Sequence, residues 1–297
     1  HGSCSRNPQR RREQMMAKRK LYDNVHSSFI GLSALAVSAL SYGMIVYVLA
    51  EGLRYVSPGF LTHVTSVMNG TTGVAGNIVN TLYIIAITLV TALPLGVGSA
   101  IFLNEYAKKG RLVRMVEFTT ETLAGIPSII FGLFGMVFFG ELLKLGYSIL
   151  TGSLTLSLMI LPLITRSTQE ALKAVPDSLR SGALGLGANK WYMIRTLLLP
   201  SAAPGIASGI ILSTGRIVGE SAALIFTAGS GYLLPRGMVR KIFESGGTLT
   251  VQLYLSMSKG QYDAAFAIAA ILVICIPVLN LATSLLTGSF KLGKRGE

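Results

Sequence analysis

The chain has 297 residues, of which 51% are hydrophobic and only 13% are Asp, Glu, Lys or Arg. A soluble globular protein carries about 25% charged residues, so this composition, with a mean hydropathy of +0.58, excludes an ordinary aqueous enzyme and a disordered chain alike. The formal net charge of +13 would suggest a nucleic-acid partner in a soluble protein. In a membrane protein the same excess marks the loops on one side of the bilayer.

Residues 1–15 form a polar tail that carries Arg6, Arg10, Arg11 and Arg12. The tail is set aside from the fold as processing or upstream sequence, and residues 16–297 are read as one transmembrane domain. A membrane-crossing helix needs about 20 mostly apolar residues. The first predicted span, 27–50, has no charged residue. The second, 75–104, holds Pro94, Gly96 and Gly98 near one end, a cluster that marks a bend. The third, 122–140, carries Gly125, Ser128, Gly132 and Gly135 at i, i+3, i+7 and i+10. That spacing puts small residues on one helical face, where they let a neighbouring helix approach closely. Pro127 is expected to kink this helix or start it afresh. The stripe reads as a packing seam, or as the wall of a translocation path. The fourth span, 145–165, ends at Arg166, a position suited to a snorkelling anchor or to an anion leaving the membrane.

The stretch 166–200 is too patterned to be irregular loop. Residues 169–174 read as helix. Pro176 and Asp177 suit the start of another, which Gly185 and Gly187 break. Asn189 is placed to cap a third segment, 190–199, closed by Pro200. The expectation is a pair of short helices around a glycine turn, projecting from the membrane and shaped to enter a groove on a partner.

The fifth span, 203–228, contains Arg216 and Glu220 near its middle. Four residues apart, they would share a helical face, continued by Gly209, Ser213, Ala223 and Thr227. An unpaired charge at mid-bilayer costs roughly 2.5–3.5 kcal/mol on insertion scales, so the two need a partner, water or a purpose. Residues 229–262 are polar and Gly-rich and carry Arg236, Arg240 and Lys241; they read as a solvated loop, a gate or a docking surface. The sixth span is 264–290.

Basic residues set the orientation. The tail, the two loops 105–121 and 166–202 and the C-terminus place 19 Lys and Arg on one side, against six on the other. Both termini are therefore expected in the cytoplasm, around six spans, and the net charge needs no nucleic acid to explain it. Cys4 and Cys275 are ill placed for a disulfide, and three scattered histidines offer no metal site. Gly288, Gly293 and Lys294 match part of a phosphate-binding loop, but Arg295 stands where Ser or Thr is needed and no strand precedes it. No catalytic residue is assigned.

The run Ser181-Gly182-Ala183-Leu184-Gly185-Leu186-Gly187-Ala188-Asn189, followed by Leu197-Leu198-Leu199-Pro200, resembles the EAA motif of ABC-importer permeases. Ala183, Gly187, Leu199 and Pro200 stand at the motif's spacing, while Ser181 replaces its Glu, Gly182 its first Ala and Leu197 its Ile. The runs Gly76-Asn77-Ile78-Val79-Asn80-Thr81, Leu123-Ala124-Gly125-Ile126-Pro127-Ser128 and Gly215-Arg216-Ile217-Val218-Gly219-Glu220-Ser221 are similar to the phosphate-specific permeases of that family. The resemblance implies an all-α permease of the type I ABC-importer fold in a bacterial inner membrane. It implies a homologous permease subunit, an ATPase dimer that binds ATP and Mg, and a phosphate-binding receptor. It gives 166–200 the role of coupling element on the ATPase. Arg216 and Glu220 then have three readings: an internal salt bridge, a guanidinium that offers paired donors to a passing oxyanion beside a gating carboxylate, or charges that meet the partner permease.

Overall fold

The computed structural model describes the backbone of residues 8–66, 71–108, 110–234 and 237–292. The chain separates into two compact units, residues 1–50 and 51–297. The first unit is one helix, α1 (Pro8–Gly52), whose apolar stretch matches the first predicted span.

The second unit takes in the end of α1 and a 3-10 turn, Leu53–Tyr55, before α2 (Pro58–Thr62), started by the Ser57 hydroxyl, which accepts the Phe60 N–H at 3.1 Å. Strands β1 (Val64–Ser66) and β2 (Thr71–Val74) then pair antiparallel, Val64 opposite Val74. This hairpin was not foreseen, because Gly-rich 69–73 lacks the alternation that marks a strand.

Helix α3 (Ala75–Ile101) continues into a π-helical turn, Phe102–Tyr106, and α4 (Arg111–Ala124) follows. The third predicted span is not one helix. α4 stops at Gly125, and α5 (Ser128–Gly135) with its π-helical extension Met136–Leu142 leaves at 101° to it. Pro127 has no N–H to continue α4 and disfavours helical backbone in the residue before it, so the helix restarts rather than kinks.

Helix α6 (Ile149–Lys173) is capped by Ser148, whose Oγ accepts the Thr151 N–H. It joins the fourth predicted span to the helix expected at 169–174, with no break between them. Helices α7 (Asp177–Gly185) and α8 (Lys190–Met193) form the projecting pair. Pro200 does not end the second of them. A π-helical turn, Ile194–Leu198, leads directly into α9 (Leu199–Gly219). The wider turn places Pro200 in the first turn of α9, where its missing N–H costs nothing.

The fifth span is itself interrupted. Glu220 is extended, and α10 (Ala222–Thr227) begins after it. Helices α11 (Met238–Ile242), α12 (Leu249–Ser258) and α13 (Tyr262–Leu292) complete the chain. Among the described residues five helices are long and apolar enough to cross a membrane, and the number is six when the bent pair α4–α5 counts as one span, which is the number expected.

The core of the second unit lies between α3 and α6. Ile84, Leu156, Ile160, Ile164, Ile217, Leu224 and Ile268 are buried together. Lipid gives helices little hydrophobic reason to associate, so hydroxyls and small residues do the joining. Thr88 Oγ1 donates to Ser153 O at 3.3 Å, Thr91 and Ser157 share a 2.5 Å hydroxyl bond, and Gly96 admits the Ile164 side chain.

Candidate functional site

The projecting pair is held by its own small core. Ala183 of α7 and Met193 of α8 are buried with Leu172, Val175, Ile194 and Leu198. Asn189 caps α8 as expected, its Oδ1 accepting the Tyr192 N–H at 2.7 Å. Gly187 makes the turn with φ +81°, a left-handed conformation that costs other residues about 1–2 kcal/mol. Ser181 and Gly182 lie exposed on α7, and the Ser181 hydroxyl folds back onto Asp177 O at 3.0 Å. Leu197 and Leu199 are half-buried at the root of α9, and Pro200 is exposed. The tip shows solvent an apolar face of Leu184, Leu186, Trp191 and Tyr192, with Leu186 91% exposed. An apolar face of this size is a candidate contact surface.

The loop is tied down by a residue that the sequence reading passed over. Arg180 Nε and Nη2 reach Glu105 Oε1 on the turn after α3, at 3.3 and 3.2 Å. Its Nη1 donates to Val175 O at 2.8 Å and to Asp177 Oδ1 at 2.9 Å, and Nη2 donates to Leu172 O at 2.7 Å. The side chains are 17% and 5% exposed. The available signal was Glu105 itself, a carboxylate at the end of an apolar span beside a basic loop.

Arg216 and Glu220 do not pair. Among the described residues no carboxylate lies within ion-pair distance of Arg216, whose side chain is exposed on the last turn of α9. The helix ends at Gly219, so the i, i+4 relation that would align the two is lost. Glu220 turns the other way, and its Oε1 accepts the Ala223 N–H at 3.1 Å at the start of α10. Its carbonyl accepts the Thr250 hydroxyl at 2.8 Å. The neighbours Gly209, Ser213, Ala223 and Thr227 are all buried, so they form the packed side of the broken span and Arg216 the open side.

Arg166 is exposed but paired, to Glu121 of α4 at 3.0 Å and to Glu170 of α6 at 3.3 Å. It therefore pins α4 to α6. The small-residue stripe divides at the α4–α5 break. Gly132 lies against the Ala223 backbone and Gly135 against Thr155, while Gly125 caps α4 and touches no other element. Ser128 opens α5 and is half-buried.

At the far end of α3, residues 228–234 and 237–248 form a cap. Asn77 Nδ2 donates to Gly247 O at 2.9 Å, and Asn80 Nδ2 to Gly231 O at 2.9 Å. Gly76 packs directly on the Tyr232 carbonyl. Lys241, only 1% exposed, donates to Leu233 O at 2.8 Å. Burial holds its pKa below the ordinary lysine value, and Glu244 pulls the other way. Arg236 lies outside the described residues.

Apolar spans around an α3–α6 core, with a helix pair projecting from the ends of α6 and α9, define the type I ABC-importer permease fold. A bacterial alginate ABC transporter solved with its alginate-bound periplasmic protein aligns at TM-score 0.65 and 15% identity, over 92% of this chain and 98% of that one. The MetNI methionine transporter aligns at 0.57 and 20%, over 73% and 94%. The chain belongs to the family described as binding-protein-dependent transport system inner membrane component, which it matches over residues 92–291. It is 35% identical over 279 residues to the probable ABC transporter permease protein YqgI of Bacillus subtilis, covering 89% of this chain and 94% of that protein. It is 33% identical to the phosphate transport system permease protein PstA 1 of Mycobacterium tuberculosis, over 72% and 70%.

Proposed function

We propose that the chain is a PstA-type permease, one of two membrane subunits of an ATP-driven importer of inorganic phosphate. The projecting α7–α8 pair carries the reading. Its exposed Leu184, Leu186, Trp191 and Tyr192 sit on a rigid turn that has no role in lipid and suits a groove in a soluble ATPase. The phosphate-permease relatives support the substrate. A PstC-like permease completes the pathway, a PstB-like ATPase dimer binds ATP and Mg, and a PstS-like receptor delivers the anion. The termini and α7–α8 then face the cytoplasm, and residues 228–248 face outward.

In this reading Arg216 is the substrate-pathway group. Its guanidinium is free of carboxylates at a break in a membrane helix, where it can offer two parallel N–H groups to a phosphate oxygen pair. A single such contact binds weakly enough to release. Glu220 holds the break open by capping α10. The Arg166 cluster meets the anion at the inner end of the path.

Phosphate uptake into proteoliposomes holding the full complex tests this. Arg216→Gln is expected to lower uptake at least 100-fold, with the complex intact and its ATPase still active. Uptake that survives the substitution removes Arg216 from the path. Uptake without the ATPase, or sulfate and molybdate competing as well as phosphate, overturns the assignment.

A further inference from the structure

Three consecutive residues on the turn after α3 hold both arms of the projecting pair. Asn104 Nδ2 donates to Glu105 Oε1 at 2.7 Å, which orients the carboxylate that binds Arg180 of α7. The next residue, Tyr106, lies under Lys190 of α8, with Nζ 5.1 Å from the ring centroid. The two arms on either side of Gly187 are thus fastened to one helix end. Arg180 also closes the joint between α6 and α7. Residues 174–176 would be a natural hinge, but the guanidinium binds the Val175 carbonyl within it and the Leu172 carbonyl just before it. A buried charge pair of this kind contributes little net stability, yet breaking one side of it strands a charge. Its value lies in fixing geometry.

The other end of α3 is fastened as firmly to the cap. Asn77 and Asn80 hold the Gly231 and Gly247 carbonyls, Thr81 Oγ1 accepts the Leu249 N–H at 3.1 Å, and Gly76 lies on Tyr232. Between these ends α3 runs 27 residues as one α-helix, about 40 Å at 1.5 Å per residue, with Pro94 inside it rather than at a break, and the π-helical turn that carries Glu105 follows directly. Two covalent routes also leave the pair: α9, which is interrupted at Glu220 before it reaches the cap, and α6, whose Ile149 N–H donates to Glu244 O of the cap at 3.0 Å. The Glu105–Arg180 pair adds α3 to them and holds the α6–α7 joint through Leu172 O.

We propose that Glu105 and Arg180 are positioning residues that lock the projecting helix pair to α3, so that motion imposed on the pair reaches the cap through Asn77 and Asn80. The proposal rests on the importer reading only in that an ATPase drives the pair. It names a defined two-ended element rather than a chain of neighbours.

Hydrogen–deuterium exchange of residues 228–249 tests it in the assembled complex, with and without ADP trapped by vanadate after ATP hydrolysis. In the wild type, trapping should change exchange of this segment at least 5-fold. In Glu105→Gln and in Arg180→Gln the change should fall below 2-fold, with the ATPase still co-purifying. The double variant Glu105→Cys/Arg180→Cys, in a Cys4→Ser/Cys275→Ala background, should respond only after a short bis-maleimide bridges the two thiols. That rescue separates a positional role from a general loss of structure.

The proposal is overturned if either Gln variant keeps the full response, if bridging restores nothing, if the variants fail to assemble, or if the wild-type cap ignores ATP. A wild-type cap that responds in a complex that imports no phosphate would remove the substrate and leave this inference standing.

Discussion

Gly132 lies where a Cβ would come 2.8 Å from Ala223 Cα and 3.1 Å from its carbonyl oxygen. Both are backbone atoms that cannot rotate away. Gly132→Ala should therefore cost about 1–3 kcal/mol as an overpacked contact, read as a lower denaturation midpoint in detergent. Gly98→Ala, in open space within α3, should raise the midpoint slightly, since Ala is favoured over Gly inside a helix by about 0.5–1 kcal/mol; equal shifts would show that the contact carries no packing load. At this scale the sequence was legible where chemistry is local. Asn189 announces its cap three residues ahead, and Gly132 and Gly135 announce close approach through their spacing. It was silent where partners are distant. Arg180 and Glu105 are 75 residues apart, and nothing in either neighbourhood selects the other. The same limit applied to Asn77 and Asn80, whose partners are backbone carbonyls about which side-chain chemistry says nothing.

Helices α7 and α8 were foreseen because their boundaries are written in Pro, Asp, Gly and Asn. Three of the elements that differed did so for one reason. A proline or a charge within an apolar run looks the same whether the backbone bends, restarts or passes through a wider turn. Pro127 restarts a helix, Pro200 follows a π-helical turn, and Glu220 ends α9. Arg216 and Glu220, aligned on an ideal helix, are parted by that last break. Gly187 allows a direct test of the turn. At φ +81°, Gly187→Asn should keep ATPase coupling close to wild type, since Asn tolerates this backbone. The β-branched Gly187→Val should lose most of the transport-linked ATP hydrolysis. Equal behaviour of the two would mean that the turn's geometry does not matter for coupling.

Over the whole chain, composition made the membrane assignment, and charge asymmetry gives the orientation proposed for it. Both rest on sums over many residues and tolerate local error. Cysteines placed one at a time check the orientation in whole cells. Leu186→Cys, at the exposed tip, should resist an impermeant thiol reagent added outside and react once cells are opened. Phe243→Cys, exposed beside the cap, should react in intact cells. The reverse pattern would invert the topology. The division of the third span has a consequence for how the chain enters a bilayer. Helix α5 and its extension comprise 8 and 7 residues, about 22 Å of helix, against a hydrocarbon core of about 30 Å. Such a segment is a poor substrate for one-by-one insertion by the translocon. It must wait for α6, whose Thr155 receives Gly135, and enter with it as a hairpin. A released chain truncated after Leu142 should therefore leave a cysteine at Phe138 open to a water-soluble thiol reagent, and one truncated after Lys173 should shield it.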